Sequence, residues 1–244
     1  MKVTVENSTI SFERAAARRI VDQILSKSDS VVGLSTGRTT GGIHRSVVEM
    51  YWDRPFDLSG VTFFGLDEVT GVSTSYPGSC WAMLHNEIAD PLGLEDGQLL
   101  MLPTRSDDFE KDCRLFREQL SRRGGIDLLV LGLGENGHLG FNQPGSPFDG
   151  RAWVSVMYPE LEQRIRRESA TPEGVPLGGV TLGLADIMEA RRLLLVANGS
   201  RKAEIVQRML EGPVTEDVPA SILQRHPRCE FLLDREAAAM LSRV

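Results

Sequence analysis

Cysteine is scarce in this chain of 244 residues: Cys80, Cys113 and Cys229 stand far apart and form no CxxC pair. That excludes a disulfide framework and a cysteine-based zinc site, and a reducing cytoplasm is the expected location. Long apolar runs are also missing. No stretch approaches the ~20 residues that span a bilayer, and the opening MKVTVENSTISFERAAARRI lacks the apolar run of a secretory signal. No membrane partner is therefore expected. Positive charge is short as well, with 27 Lys and Arg against 34 Asp and Glu for a net charge of −7. This argues against a broad nucleic-acid footprint while leaving room for a local cationic cluster around a small anion. None of His44, His85, His138 and His226 shows HxxxH spacing, so no metal site is expected.

What is present is an alternation of short apolar runs with amphipathic segments. Val31–Leu34, Val61–Leu66, Leu128–Leu133, Leu193–Ala197 and Cys229–Leu233 read as strands, with Leu99–Leu102 and Trp153–Met157 extended. Helical periodicity marks Ser11–Leu25, Ile43–Trp52, Ser79–Ala89, Pro159–Glu168 and Ala237–Ser242. A further helix opens at a capping arrangement of Asp107 and Glu110 and runs to about Ser121. Another covers Arg201–Leu210, with Ser200 as its N-cap, and Ser221–Arg225 forms a short helical turn. The Pro- and Gly-rich Ala170–Gly179 reads as a loop. Unbroken Val/Leu/Ile strands separated by helices predict a Rossmann-like three-layer α/β sandwich, its mostly parallel sheet covered on both faces. No repeat or long linker divides the chain, and 1–244 reads as one domain.

Open α/β sheets hold ligands where buried strands end in polar, glycine-rich loops. The stretch LLVLGLGENGHLGFNQPGS from Leu128 to Ser146 is of that kind, presenting His138 beside Asn136 and Gln143, with Gly137 allowing backbone to approach a ligand. His138 reads either as a ligand-facing acid/base or as a satisfied core histidine. Gly132, Gly134 and Gly137 match GxGxxG, but the following HLGFNQPG does not open the helix a dinucleotide site requires. The loop Ser35-Thr36-Gly37-Arg38-Thr39-Thr40-Gly41-Gly42 lies between a strand and a helix. It reads as a single-phosphate cradle or as a plain connection. Arg201 and Lys202 occupy the first turn of a helix, where cations are disfavoured unless an anion lies nearby. Asp67 and Glu68, at a strand's carboxyl end, suit proton abstraction beside a carbonyl, helix capping or a salt bridge.

Together STGRTT, FFGLDEVTG, YPGSC, GGIDLLVLGLGENGHLGFNQPGS, VTLGLADIMEARRLLLVANGSRKAE and PASILQRH resemble the glucosamine-6-phosphate deaminase and 6-phosphogluconolactonase superfamily. The GHxxFNxPGS element resembles the deaminase/isomerase side, and Asn136 and Cys80 resemble the galactosamine-6-phosphate isomerase/deaminase branch. The resemblance implies deaminating aldose–ketose isomerisation of a phosphorylated amino sugar, without redox or metal cofactor, and a homo-oligomer is compatible with it. It implies that His138 assists ring opening and that Asp67 carries the proton between C2 and C1, with Glu68 beside it. Ser35, Thr36, Gly37, Arg38 and Thr39, with Lys202 and Arg166, would hold the phosphate; Arg167 is adjacent to the last. Three departures stand out: Asn136 replaces an aspartate, Gln143 replaces the glutamate of FNEPG, and TGRTT replaces TGGTP or TGATP. Neutral amides orient an imidazole without stabilising its cation, so a weaker base is expected at His138. A lactonase-type hydrolase and a non-catalytic sugar-phosphate sensor are the alternative readings.

Overall fold

The computed structural model describes residues 2–157, 159–169 and 171–242. In chain order the elements are β1 (Lys2–Glu6), α1 (Thr9–Ser26), β2 (Val31–Leu34), α2 (Thr40–Asp53), β3 (Thr62–Gly65), β4 (Asp67–Thr70) and α3 (Cys80–Leu84). A π-helical turn at His85–Ala89 and the short α4 (Asp90–Leu92) follow, then β5 (Leu99–Leu100), α5 (Phe109–Arg122), β6 (Leu128–Gly132), β7 (Trp153–Val156) and α6 (Pro159–Ser169). The chain continues through β8 (Gly178–Thr181), α7 (Leu184–Met188), β9 (Leu193–Ala197), a 3-10 turn at Ser200–Lys202, α8 (Ala203–Glu211), a 3-10 segment at Pro219–Arg225 and β10 (Cys229–Asp234).

Seven strands form a wholly parallel sheet in the order β1-β10-β9-β6-β2-β3-β5. Its central strands are buried along their length because both faces are covered, as the continuous Leu/Val runs require. On one face α1 and α2 close a core around Phe12, Ile20, Ile43 and Phe63; on the other α5, α7 and α8 cover Phe64, Leu129, Leu195 and Phe231. From β2 the chain winds outward to β3 and β5, then returns to β6 and winds the opposite way to β9 and β10. The carboxyl ends of β2 and β6 therefore flank a topological switch point, the place where such sheets hold ligands.

Several expectations are corrected. The apolar run Val61–Leu66 does not end a strand cleanly. At Leu66 the chain leaves the large sheet, with Leu66 N–H donating to Leu34 O and Leu182 N–H donating to Leu66 O, and it continues as β4 in a second, antiparallel sheet β4-β8-β7. The end of the expected Ala170–Gly179 loop lies in β8, and Ala170 itself lies outside the described residues. β1 is a strand that no long apolar run marks. Asp108, not Asp107, caps α5 by accepting from Lys111 N–H. Ser200 caps nothing; it begins a 3-10 turn before α8. Ala237–Ser242 forms turns instead of a helix. No helix follows Gly137, as the reading against a dinucleotide loop required. Among the described residues, no helix is long and apolar enough to cross a membrane.

Candidate active site

Four loops at the carboxyl edge of the parallel sheet build the site. The first leaves β2. The backbone N–H and hydroxyl of Ser35 both donate to Val130 O (3.2 and 2.9 Å), pinning the start of the loop to β6. Ser35 is buried in that role and positions the loop. Gly37, at φ +139°, turns the chain, and its carbonyl accepts from Thr40 N–H and Gly41 N–H. Gly37 and Arg38 are exposed at the tip. Thr36 Oγ1 donates to Cys80 Sγ (3.1 Å), and Thr39 Oγ1 donates to Asn198 Oδ1 (2.7 Å), tying the loop to its neighbours on both sides.

The second loop follows β9. Lys202 reaches across to donate from Nζ to Leu133 O (2.6 Å), at the exit of β6. Burial lowers its pKa, nearby Arg38 and Arg201 lower it further, and Glu135 opposes them. Three cations thus crowd the rim beside the Thr36–Thr39 loop, an arrangement that a bound phosphate dianion would relieve.

Asp67 opens β4 and is partly exposed. Burial raises its carboxyl to about 6, while the Cys80 thiol, 3.7 Å from Oδ1, pulls the other way. Glu68 points elsewhere. It is fully buried; Oε1 accepts from Val69 N–H and Cys80 N–H, and Oε2 accepts from Trp81 N–H. Burial raises Glu68 to about 7, against the pull of those three amides. These contacts match the helix-capping alternative: Glu68 fastens the first turn of α3, and so places Cys80 against Asp67. Glu68→Gln turns an amide NH₂ toward N–H donors, and a destabilisation of ~1–3 kcal/mol is expected from the buried groups left unpaired. Denaturant unfolding of the variant checks this.

His138 lies on the loop after β6. Its backbone N–H (3.2 Å) and Nδ1 (2.6 Å) both meet Asn136 Oδ1, and Asn136 Nδ2 donates to Gln143 Oε1 (3.1 Å). Because Asn136 Oδ1 already accepts the backbone N–H, Nδ1 must donate, leaving Nε2 as the basic nitrogen. Burial lowers the imidazole to about 4; Lys202 adds to the shift and Glu135 opposes it. Gly134 makes room for the ring, since a Cβ there would lie 2.2 Å from His138 Nδ1. Gly140, at φ +57°, performs the second close approach: a Cβ would meet Thr181 Oγ1 at 2.6 Å and Asp67 Oδ2 at 3.2 Å. The histidine loop and Asp67 therefore share one side of the molecule.

Arg166 is not brought to this cluster. Its guanidinium donates to Pro172 O, Val175 O and Glu162 Oε1, all on its own segment. Here its donors clamp the loop after α6 through loop carbonyls. Arg167 is exposed. The residues not singled out by their own chemistry are Asn198, Glu135 and, as a link between Thr36 and Asp67, Cys80. Only the YPGSC motif marked the last, and its partners lie 44 and 13 residues away. Among the described residues, no three His, Cys, Asp or Glu side chains gather to hold a metal ion.

The chain is similar to known proteins over nearly its whole length. The profile of the family described as glucosamine-6-phosphate isomerases/6-phosphogluconolactonase matches residues 6–231. Glucosamine-6-phosphate deaminase 2 of Bacillus subtilis (strain 168) is 35% identical over 243 residues, covering 99% of this chain and 98% of its own. The glucosamine-6-phosphate deaminase of Halothermothrix orenii is 34% identical, covering 99% and 100%. A solved monomeric glucosamine-6-phosphate deaminase superposes with a TM-score of 0.91 at 32% identity, covering 98% of this chain and 100% of that one. The 6-phosphogluconolactonase of Trypanosoma brucei shares the fold, with a TM-score of 0.78 at 22% identity and coverage of 99% and 98%.

Proposed function

The chain belongs to the glucosamine-6-phosphate isomerase/6-phosphogluconolactonase family, and we propose that it converts glucosamine 6-phosphate and water into a ketohexose 6-phosphate and ammonia. It is an amino-sugar-phosphate isomerase/deaminase. The relatives described above carry the gluco substrate in their names, which favours that epimer over the galacto one. The observation that carries the reading is a carboxylate, Asp67, held near neutrality and abutting the loop of a tautomer-fixed histidine.

The loop from Thr36 to Thr39, with Arg38 and Lys202, takes the phosphate. His138 Nε2 accepts the proton of the anomeric hydroxyl as the C1–O5 bond breaks, and returns a proton to O5. Asp67 then removes the proton from C2; the C–H electrons form the C1–C2 double bond as the C1=O π pair moves to O1, and O1 takes a proton from the substrate's own C2 ammonium, giving an enolamine. The same carboxyl returns the proton to C1, leaving an iminium at C2. Water adds to C2, ammonia departs, and the ketose remains.

The pH dependence tests this reading. Asp67 works ionised, so kcat/KM for ammonia release is expected to fall about tenfold per unit below its pKa of about 6. His138, at about 4, stays neutral through that limb and adds no proton of its own. Asn136→Asp sets a carboxylate against Nδ1, favours the imidazolium and lifts the histidine, so a second protonation enters the acid limb. A wild-type profile flat down to about pH 5 in folded protein would contradict the assignment of Asp67.

A further inference from the structure

A cavity of about 360 Å³ opens at the opposite end of the parallel sheet, among the first residues of β6, β9 and β10 (Leu128, Leu193 and Cys229). Its charged lining is Lys2, Arg19, Arg192, Arg228 and a single carboxylate, Glu230. On a chain with net charge −7 this is a local reversal of sign. Glu230 is already shared: Oε1 alone accepts from Thr4 Oγ1 (3.1 Å) and Arg19 Nη2 (2.8 Å) and pairs with Lys2 Nζ (3.1 Å).

Beyond the Arg19–Glu230 pair, the acceptors on Arg19 and Arg192 are neutral. Arg19 Nη1 donates to Ala15 O (3.0 Å), and Arg192 Nη1 donates to Oε1 of Gln23 (3.1 Å), an amide that is itself buried and bonded through Nε2 to Ser30. Among the described residues, neither Arg192 nor Arg228 has a carboxylate partner. Like charges gathered this way repel one another, whereas planar guanidinium forks match the paired oxygens of phosphoryl and carboxyl groups. A cavity of this size takes a small molecule.

We propose that this cavity binds a compact polyanion bearing at least two phosphoryl or carboxyl groups, at a site separate from the sugar-phosphate site. The inference does not rest on the deaminase reading, and the two fail independently. Its test is amide NMR of the full-length protein titrated with inorganic pyrophosphate and, separately, with citrate; whichever saturates at lower concentration identifies the favoured anionic group. Saturable shifts are expected at Leu193, Cys229 and Glu230, distinct from any at Gly37 and Lys202 in the other site. The double variant Arg192→Gln/Arg228→Gln should bind at least about tenfold more weakly at the cavity while keeping its response at Gly37 and Lys202. Shifts that never saturate for either probe, no shifts at Leu193 and Cys229, or unchanged affinity in the double variant would overturn the proposal.

Discussion

Asp67→Asn is expected to lower kcat/KM for deamination by about 10²–10⁴-fold, the range a positioned general base supplies. The asparagine is isosteric and its Oδ1 can still accept from Cys80 Sγ, so the β4–α3 junction should survive and thermal unfolding should shift little. Substrate affinity should also change little, because in the proposed binding mode the phosphate is held by the loop after β2 and by Lys202. The signature is thus a loss in kcat with KM nearly retained, checked by steady-state ammonia release beside a melting curve. The effect cannot be bypassed in solution, since no other carboxylate among the described residues stands at this position. Glu68 is turned away and occupied by three amides.

His138→Gln should be the second largest loss, and it should behave differently. In the proposed mechanism the imidazole serves ring opening, and amino sugars open without an enzyme, so the pre-opened fraction of substrate still reaches Asp67. A reduction of about 10²-fold is expected at steady state, toward the low end for acid–base groups. A single-turnover experiment should show a slow approach that accelerates in buffers catalysing ring opening. Asp67→Asn should show no such rescue. Equal rescue of both variants would mean that the two residues do not divide the reaction this way.

The parts of this site visible in the sequence are those whose signals are local. The glycines around His138 and the threonine-rich loop after β2 sit next to the strands that carry them, so strand, turn and polar group read as one unit. Asn136 and Gln143 were legible for the same reason, lying two residues before and five after the histidine they serve. Local sequence leaves the role of Glu68 open, because its partners, the Cys80 and Trp81 amides, come together only when the chain changes sheets at Leu66. That change was itself hidden: β8 begins Gly178-Gly179, residues with poor strand preference, and Gly179 is needed because the Phe141 ring would lie 2.2 Å from any Cβ there.

Arg166 illustrates a similar limit: its side-chain partners on its own loop depend on how that loop folds back. At the other end of the chain, the Ala-rich segment after Arg235 has helical propensity but is too short to hold a helix alone. Its amides mix two spacings, with Ala238 N–H donating to Asp234 O and Ala239 N–H to Glu236 O, while the Asp234 carboxylate is drawn to Gly199 N–H and Ala237 N–H. Tertiary partners overrode the local preference.

The most direct measurement is the stoichiometry of products from glucosamine 6-phosphate in the absence of added cofactor, with ammonia and ketohexose 6-phosphate quantified in parallel. One ammonia released for each ketose formed, both abolished together in Asp67→Asn, is the predicted result. Tight binding of the amino sugar with neither product formed, or turnover confined to a sugar-phosphate lactone, would contradict it.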